Sequence, residues 1–266
     1  MADEGDYEPA GPAQFLEKLN DGCDLDAAFD TLEGFDHFYS CALRGRTRTL
    51  QLRPEEAEAF FAESDERYPL CQPCLRNSLR RFYVKVYRYE NQLLLESSSP
   101  DEFEAELRRR AEDLRDDPYA VEREDTRMGQ PYLWGHYLLH RQQYREAFDV
   151  FNEIMRPGVT RIIDNFAGLY IMAAAAARQL GLEDEAQKHV QSAALMIPVL
   201  RQRFNMGLFA GMLVALLRLW KHDREADGWL QFLVDMKVPE KTRLLFLERS
   251  RRIIAKSVEL ERVYLF

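Results

Sequence analysis

Two cysteines set two residues apart, Cys71-Gln72-Pro73-Cys74, form the most suggestive pair of reactive side chains in this chain. Thiolates at that spacing can grip one zinc ion from a tight turn, and a tetrahedral site then needs two more ligands. Cys41 and Cys23 would complete a four-cysteine set, with His37, four residues before Cys41, as the alternative ligand. That second pair lacks the short spacing of a double-cysteine knuckle. Unreactive thiols beside a turn therefore stand as the plainer alternative to zinc.

The same four residues are similar to the thioredoxin active-site turn, a resemblance that implies thiol redox chemistry. The context differs, because Glu66-Arg67-Tyr68-Pro69 precedes the pair where a buried strand would be needed. His136 and His140 stand four apart and would share a helix face, but Tyr137 occupies the place where a zinc protease carries Glu. A glycine-rich phosphate loop, a serine nucleophile elbow and a kinase signature are all missing from the sequence, so no catalytic residues are assigned and a non-enzymatic protein is expected. One basic and aromatic stretch, Arg76, Arg80, Arg81, Lys85 and Arg88 among Phe82, Tyr83, Tyr87 and Tyr89, has the composition to meet RNA or an acidic peptide.

The charge balance sets limits on those chemistries. A formal net charge of −9 repels phosphate backbones and makes a general nucleic-acid binder an unfavoured expectation. The charge is uneven: residues 1–66 hold 17 acidic and 5 basic side chains, whereas residues 201–266 hold 8 acidic and 13 basic. The acidic start lacks the basic and apolar regions of a secretory signal, and charges interrupt every apolar run before membrane-spanning length. Four cysteines in 266 residues do not make a disulfide framework, and a cytoplasmic protein is expected.

The elements that must position these residues are mostly helical, since Ala, Leu, Glu, Arg and Gln dominate and only 13 glycines and 11 prolines interrupt them. Residues 1–12 suit a flexible acidic leader. Residues 13–115 are expected to form a small N-terminal α or α+β domain. Within it, the apolar spacing of 13–41 predicts two short helices, with Asp24 or Asp26 capping the second. Alternating Thr47, Thr49 and Gln51 predict an extended segment over 42–52, and Pro54-Glu55-Glu56 opens a helix ending near Asp65. Residues 82–89 fit either period, and their aromatic and β-branched content favours a strand paired with 93–96. Ser99-Pro100-Asp101-Glu102 starts a charged helix to about Asp117, and 116–130 reads as a linker.

Beyond residue 130 the chain repeats itself. Arg145-Glu146-Ala147, Asp184-Glu185-Ala186 and Arg224-Glu225-Ala226 fall at intervals of 39 and 40 residues, each opening an amphipathic helix preceded by another. Gly135, Leu138, Ala147 and Phe151 stand in the Gly-x2-Tyr-x8-Ala-x3-Phe register of the tetratricopeptide repeat family. Ala174, Ala177, Ala186, Val190, Ala193 and Pro198 continue it, followed by Val214, Leu217, Ala226, Leu230, Leu233 and Pro239. Residues 131–240 thus resemble that family, which implies an α-solenoid of about three helical hairpins. Residues 241–266 would be its terminal capping helix, with Leu244, Leu245, Leu247, Ile253, Ile254, Val258 and Leu260 inward and Arg249, Arg251, Arg252 and Lys256 largely outward. The apolar end, Val263 to Phe266, is expected to dock on the body.

The resemblance implies a scaffold or adaptor that binds a protein or peptide partner, such as a helix, through a face lined by the first helix of each hairpin. It nominates His136, Tyr137, His140, Tyr170 and Arg218 as partner contacts. The alternative is a zinc-binding or thiol-redox N-terminal module with the repeats as its recruiting arm.

Overall fold

A computed structural model describes residues 10–71, 75–95, 105, 134–156 and 166–257, and the described secondary structure is helical throughout. The chain divides into two compact units, Met1–Gly129 with Val238–Leu245, and Gln130–Lys237 with Phe246–Phe266.

In the first unit, α1 (Ala10–Gly22) ends at Cys23, whose left-handed backbone lets the chain turn into α2 (Leu25–Asp30). The carboxylate of Asp24 caps α2 by accepting the N–H groups of Asp26 and Ala27, both at 3.1 Å. Then come α3 (Phe38–Leu50), α4 (Pro54–Arg67), with proline at its first turn as expected, and α5 (Leu75–Leu94). The three pack mutually, with α1 and α2 against α3.

Two sequence expectations fail in this unit. The predicted extended segment over 42–52 is helical in α3, because Thr47 and Thr49 donate their hydroxyls to the carbonyls of Leu43 (2.9 Å) and Gly45 (3.1 Å). That bond one turn back lets a buried threonine sit inside a helix. The predicted hairpin over 82–96 is part of one continuous helix, α5. Its buried residues Asn77, Arg80, Val84, Tyr87, Asn91 and Leu94 recur every three or four positions. Burial of one helical face outweighs the β preference of the individual side chains. The β component of the expected N-terminal domain is thus absent among the described residues.

The second unit holds three helix pairs: α6 (residues 134–140) with α7 (Tyr144–Ile154), α8 (Phe166–Gln179) with α9 (Glu183–Met196), and α10 (Arg203–Leu219) with α11 (Asp223–Asp235). α8 packs against α7, α9 and α10, and α10 against α11. The pairs share one turn. Gln143 donates its N–H to the Leu138 carbonyl, Leu182 to Ala177 and His222 to Leu217, each at 2.9 Å. The residue between, Gln142, Gly181 or Lys221, has a positive φ of 59°, 71° or 62°. These are Schellman closures, in which a left-handed residue satisfies the last carbonyls of one helix. The carbonyl of the following residue then receives Ala147, Ala186 or Ala226 and starts the next helix.

The same turn recurs in the first unit. Arg53 donates to the Arg48 carbonyl at 2.9 Å, Leu52 has φ 59°, and Ala57 donates to the Arg53 carbonyl at 3.1 Å. The packing matches as well. A Cβ on Gly45 would lie 2.9 Å from the Phe61 ring, and one on Gly135 would lie 2.6 Å from the Phe151 ring. Gly45, Ala57 and Phe61 therefore repeat the spacing of Gly135, Ala147 and Phe151, and α3–α4 is a fourth copy of the helix pair.

The last described helix, α12 (Glu240–Ser257), begins in the first unit and continues in the second. Its buried residues are Thr242, Phe246, Arg249, Ser250, Ile253 and Ile254. The expected orientation is corrected at two places: Leu244 is exposed, and Arg249, at 1% exposure, is among the largest fully buried side chains. Helical periodicity from Phe246, which packs edge-on against Phe204 and closely against Gly211, carries Arg249 inward. The expected helix after Ser99, the linker over 116–130 and the apolar end at 263–266 lie outside the described residues.

Candidate functional site

The candidate metal ligands fall in different surroundings. Cys23 and Cys41 are buried, whereas Cys71 is half-buried, its thiol 3.6 Å from the Arg67 carbonyl. Burial pushes the Cys41 thiol up to about 11, with Glu63 adding to the shift. At neutral pH that thiol stays protonated, which makes it a poor nucleophile. His37 caps α3: its Nδ1 accepts the Tyr39 N–H at 3.2 Å. Burial, reinforced by the Arg80 guanidinium, lowers its pKa to about 4, which keeps Nδ1 available as an acceptor. Among the described residues, no group of three or more His, Cys, Asp and Glu side chains converges as a metal site requires; Cys74 lies outside them.

The nominated partner contacts divide between interior and surface. His136 is buried with its ring edge-on to Phe151 at 5.8 Å, and Tyr137 is buried and stacked on Trp134 at 5.1 Å. Both therefore act as packing groups in their unit, not as surface contacts. His140 and Tyr170 are half-buried. Tyr170 lies 5.8 Å from the His189 ring, which also meets Phe148 edge-on at 5.8 Å, and burial lowers the pKa of His189. Arg218 is exposed but engaged, pairing with Asp223 at 2.8 Å and Asp227 at 2.5 Å across the turn. Arg178 repeats that brace one helix pair earlier, pairing with Glu183 at 2.7 Å while its guanidinium lies over Trp220.

The first helices of the later pairs offer little free face. In α8, residues 167–169 and 171–177 are all buried, and in α10 residues 207–214 are buried. Small residues permit this enclosure: a Cβ on Gly168 would lie 2.8 Å from the Phe209 ring. Large apolar side chains reach solvent instead around the second helices, where Leu195 is 76% and Val199 66% exposed, with Val234 on α11 also exposed.

Among the described side chains of the basic and aromatic stretch, which exclude Arg76 and Phe82, Arg80, Lys85, Tyr87 and Tyr89 are buried. Arg80 is buried over the Tyr39 ring at 5.0 Å, and Arg81 lies over Tyr68 at 4.4 Å. Arg88 pairs with Glu58 at 3.0 Å and Asp65 at 2.5 Å. Arg46 on α3 donates to the Tyr87 hydroxyl at 2.9 Å and covers its ring. Burial and the neighbouring Tyr87 push the Tyr39 phenol well above its ordinary range. Beside this cluster, Asn91 accepts from the Thr49 hydroxyl at 2.7 Å and donates to the Pro54 carbonyl at 2.9 Å and to Glu58 at 3.0 Å, joining α3, α4 and α5.

Sequence reasoning overlooked two features of this unit. The α3–α4 pair carries the Gly-x11-Ala-x3-Phe signal at Gly45, Ala57 and Phe61, concealed by the threonine alternation around it. Arg44 on α3 lies against Phe29 on α2 and Phe60 on α4, a junction with no linear signal because its members come from three helices. No family model, no curated protein and no solved structure matches this chain.

Proposed function

We propose that this chain is a non-enzymatic scaffold or adaptor that holds a peptide or helix of a partner protein against its helix pairs. The observation that supports this reading best is the recurrence of one module: the same Schellman turn at residues 142, 181 and 221, each followed by an alanine at the start of the second helix. Tandem pairs of this kind spread a partner's contacts over several equivalent surfaces. The family that residues 131–240 resemble uses its repeats in this way. The enclosure of α8 and α10 leaves half-buried His140 and Tyr170, exposed Arg218, and the apolar residues Leu195, Val199 and Val234 for the partner to touch.

The test is a photoreactive amino acid placed singly at position 195 or 199 of the full chain, with position 188 of α9 as a control. A discrete partner adduct from 195 or 199, absent from 188, supports the reading. Adducts of equal yield at all three positions, or none, sink it.

A further inference from the structure

In the second unit the charged side chains are sorted by helix. The first helices, α6, α8 and α10, hold no carboxylate and three arginines, whereas the second helices, α7, α9 and α11, hold ten carboxylates against Arg145, Lys188 and Arg224. Arg178 and Arg218 reach across to pair with Glu183, Asp223 and Asp227, which still leaves ten acids against five cations on the side of the second helices. Six of the ten stand in first turns, where the helix dipole favours them. The other four, Asp149, Glu153, Asp227 and Asp235, lie beyond that reach, and Asp235 closes α11 at the end where the dipole opposes an acid. Within the chain Asp235 accepts from the Gln231 amide at 2.8 Å, a neutral donor that leaves the carboxylate charge in place.

The same side carries apolar side chains in solvent. Leu195 is 76% and Val199 66% exposed at the close of α9, and Val234 is 43% exposed at the close of α11. Counted from the shared alanine, Leu195 stands nine residues past Ala186 and Asp235 nine past Ala226, so the exposed leucine of one pair matches the exposed acid of the next. Arg203, in the first turn of α10, donates to the Met236 carbonyl just past α11, which ties the two closing ends together. A face that is both apolar and acidic is complemented by a segment that is both apolar and basic: apolar burial supplies affinity, and opposite charge supplies orientation and selectivity.

We propose that the closing ends of α9 and α11 dock a basic amphipathic helix of a partner protein. Its apolar stripe lies on Leu195, Val199 and Val234, and its Lys or Arg side chains point to Asp235 and into the negative field of the second helices. The proposal rests on the scaffold reading and names the chemistry of the partner. An acidic helix would make the same apolar contacts but meet repulsion from a chain of net charge −9, so the charge of the partner is what the face selects.

The experiment titrates the full chain, at physiological salt, with two fluorescent synthetic helices of about 18 residues that share one leucine stripe. One carries Lys at every other position and the second carries Glu. Anisotropy should show saturable binding of the Lys peptide in about the micromolar range and at least tenfold weaker binding of the Glu peptide. The double substitution Leu195→Ser with Val199→Ser should weaken the Lys peptide at least fivefold, whereas Leu70→Ser, which removes an exposed leucine of the first unit, should leave it unchanged. Lys-peptide binding that ignores the double substitution is mere attraction to an acidic chain and would overturn the proposal. Equal or tighter binding of the Glu peptide, lost on the double substitution, also overturns it but leaves the scaffold reading standing. If neither peptide binds, the proposal fails, and crosslinking at 195 and 199 judges the scaffold reading separately.

Discussion

The pairs α3–α4 and α6–α7 share a turn, an alanine and a glycine pressed against a phenylalanine, yet they sit in different chemical surroundings. Around α3 the interior is polar and charged: Thr47, Thr49, Asn91, Arg80 and Lys85 are all buried. Around α8, next to α7, it is a run of alanines with Leu169, Ile171 and Met172. The shared part is the backbone closure and one close approach, and these suffice to define the pair. The rest of the interior is free to vary, so one module supports an arginine and aromatic cluster in one unit and a dry aliphatic stack in the other.

The largest expected effect tests whether the two close approaches are equivalent. Phe61→Ala and Phe151→Ala should each cost about 3–5 kcal/mol, since both rings are fully buried. Denaturant unfolding with hydrogen exchange in α3–α4 and α6–α7 measures it, and a cost below about 1 kcal/mol at Phe61 would break the equivalence. The next effect should separate the units: Asn91→Leu removes the bonds that join Thr49, the Pro54 carbonyl and Glu58, costing about 2 kcal/mol. Loss of protection confined to α6–α11 would contradict that assignment.

Smaller effects sharpen the shared turn. Gln142→Gly and Lys221→Gly should each stabilise by about 0.5–1 kcal/mol by relieving a left-handed non-glycine residue, whereas Gly181→Ala should destabilise by a similar amount. One sign for all three substitutions would mean that the turns are not alike. The smallest effect concerns His37. Its folded pKa of about 4 lies below the usual 6.5, so the unfolded chain binds the proton first on acidification. The associated stability is complete above about pH 6.5 and is lost progressively as pH falls toward 4. His37→Asn, which keeps a neutral cap, should flatten the pH profile of the denaturation midpoint over that window; an unchanged profile would remove His37 as the cause.

Helix content, the Pro54 start and a cap at Asp24 or Asp26 were legible because each depends on residues within a turn of one another. The helical state of 42–52 and 82–96 was not, because threonines and aromatics carry a β preference that buried contacts from other helices override. Glycine marks only one of the four shared turns, at Gly181; Leu52, Gln142 and Lys221 take the same left-handed position without a local signal. Of the nominated site residues, His136 and Tyr137 lie on a helix as expected, but nothing in their spacing said that Phe151 and Trp134 would cover them.

The sequence by itself determined that this chain is helical and that a small–small–large register recurs along it, since both follow from side-chain periodicity over short distances. Tertiary structure alone decided which cations face inward, that α8 is enclosed on nearly every side, and that Arg44 lies against the Phe29 and Phe60 rings. Those outcomes depend on contacts between helices far apart in the chain, and no local preference encodes what a side chain will meet across them.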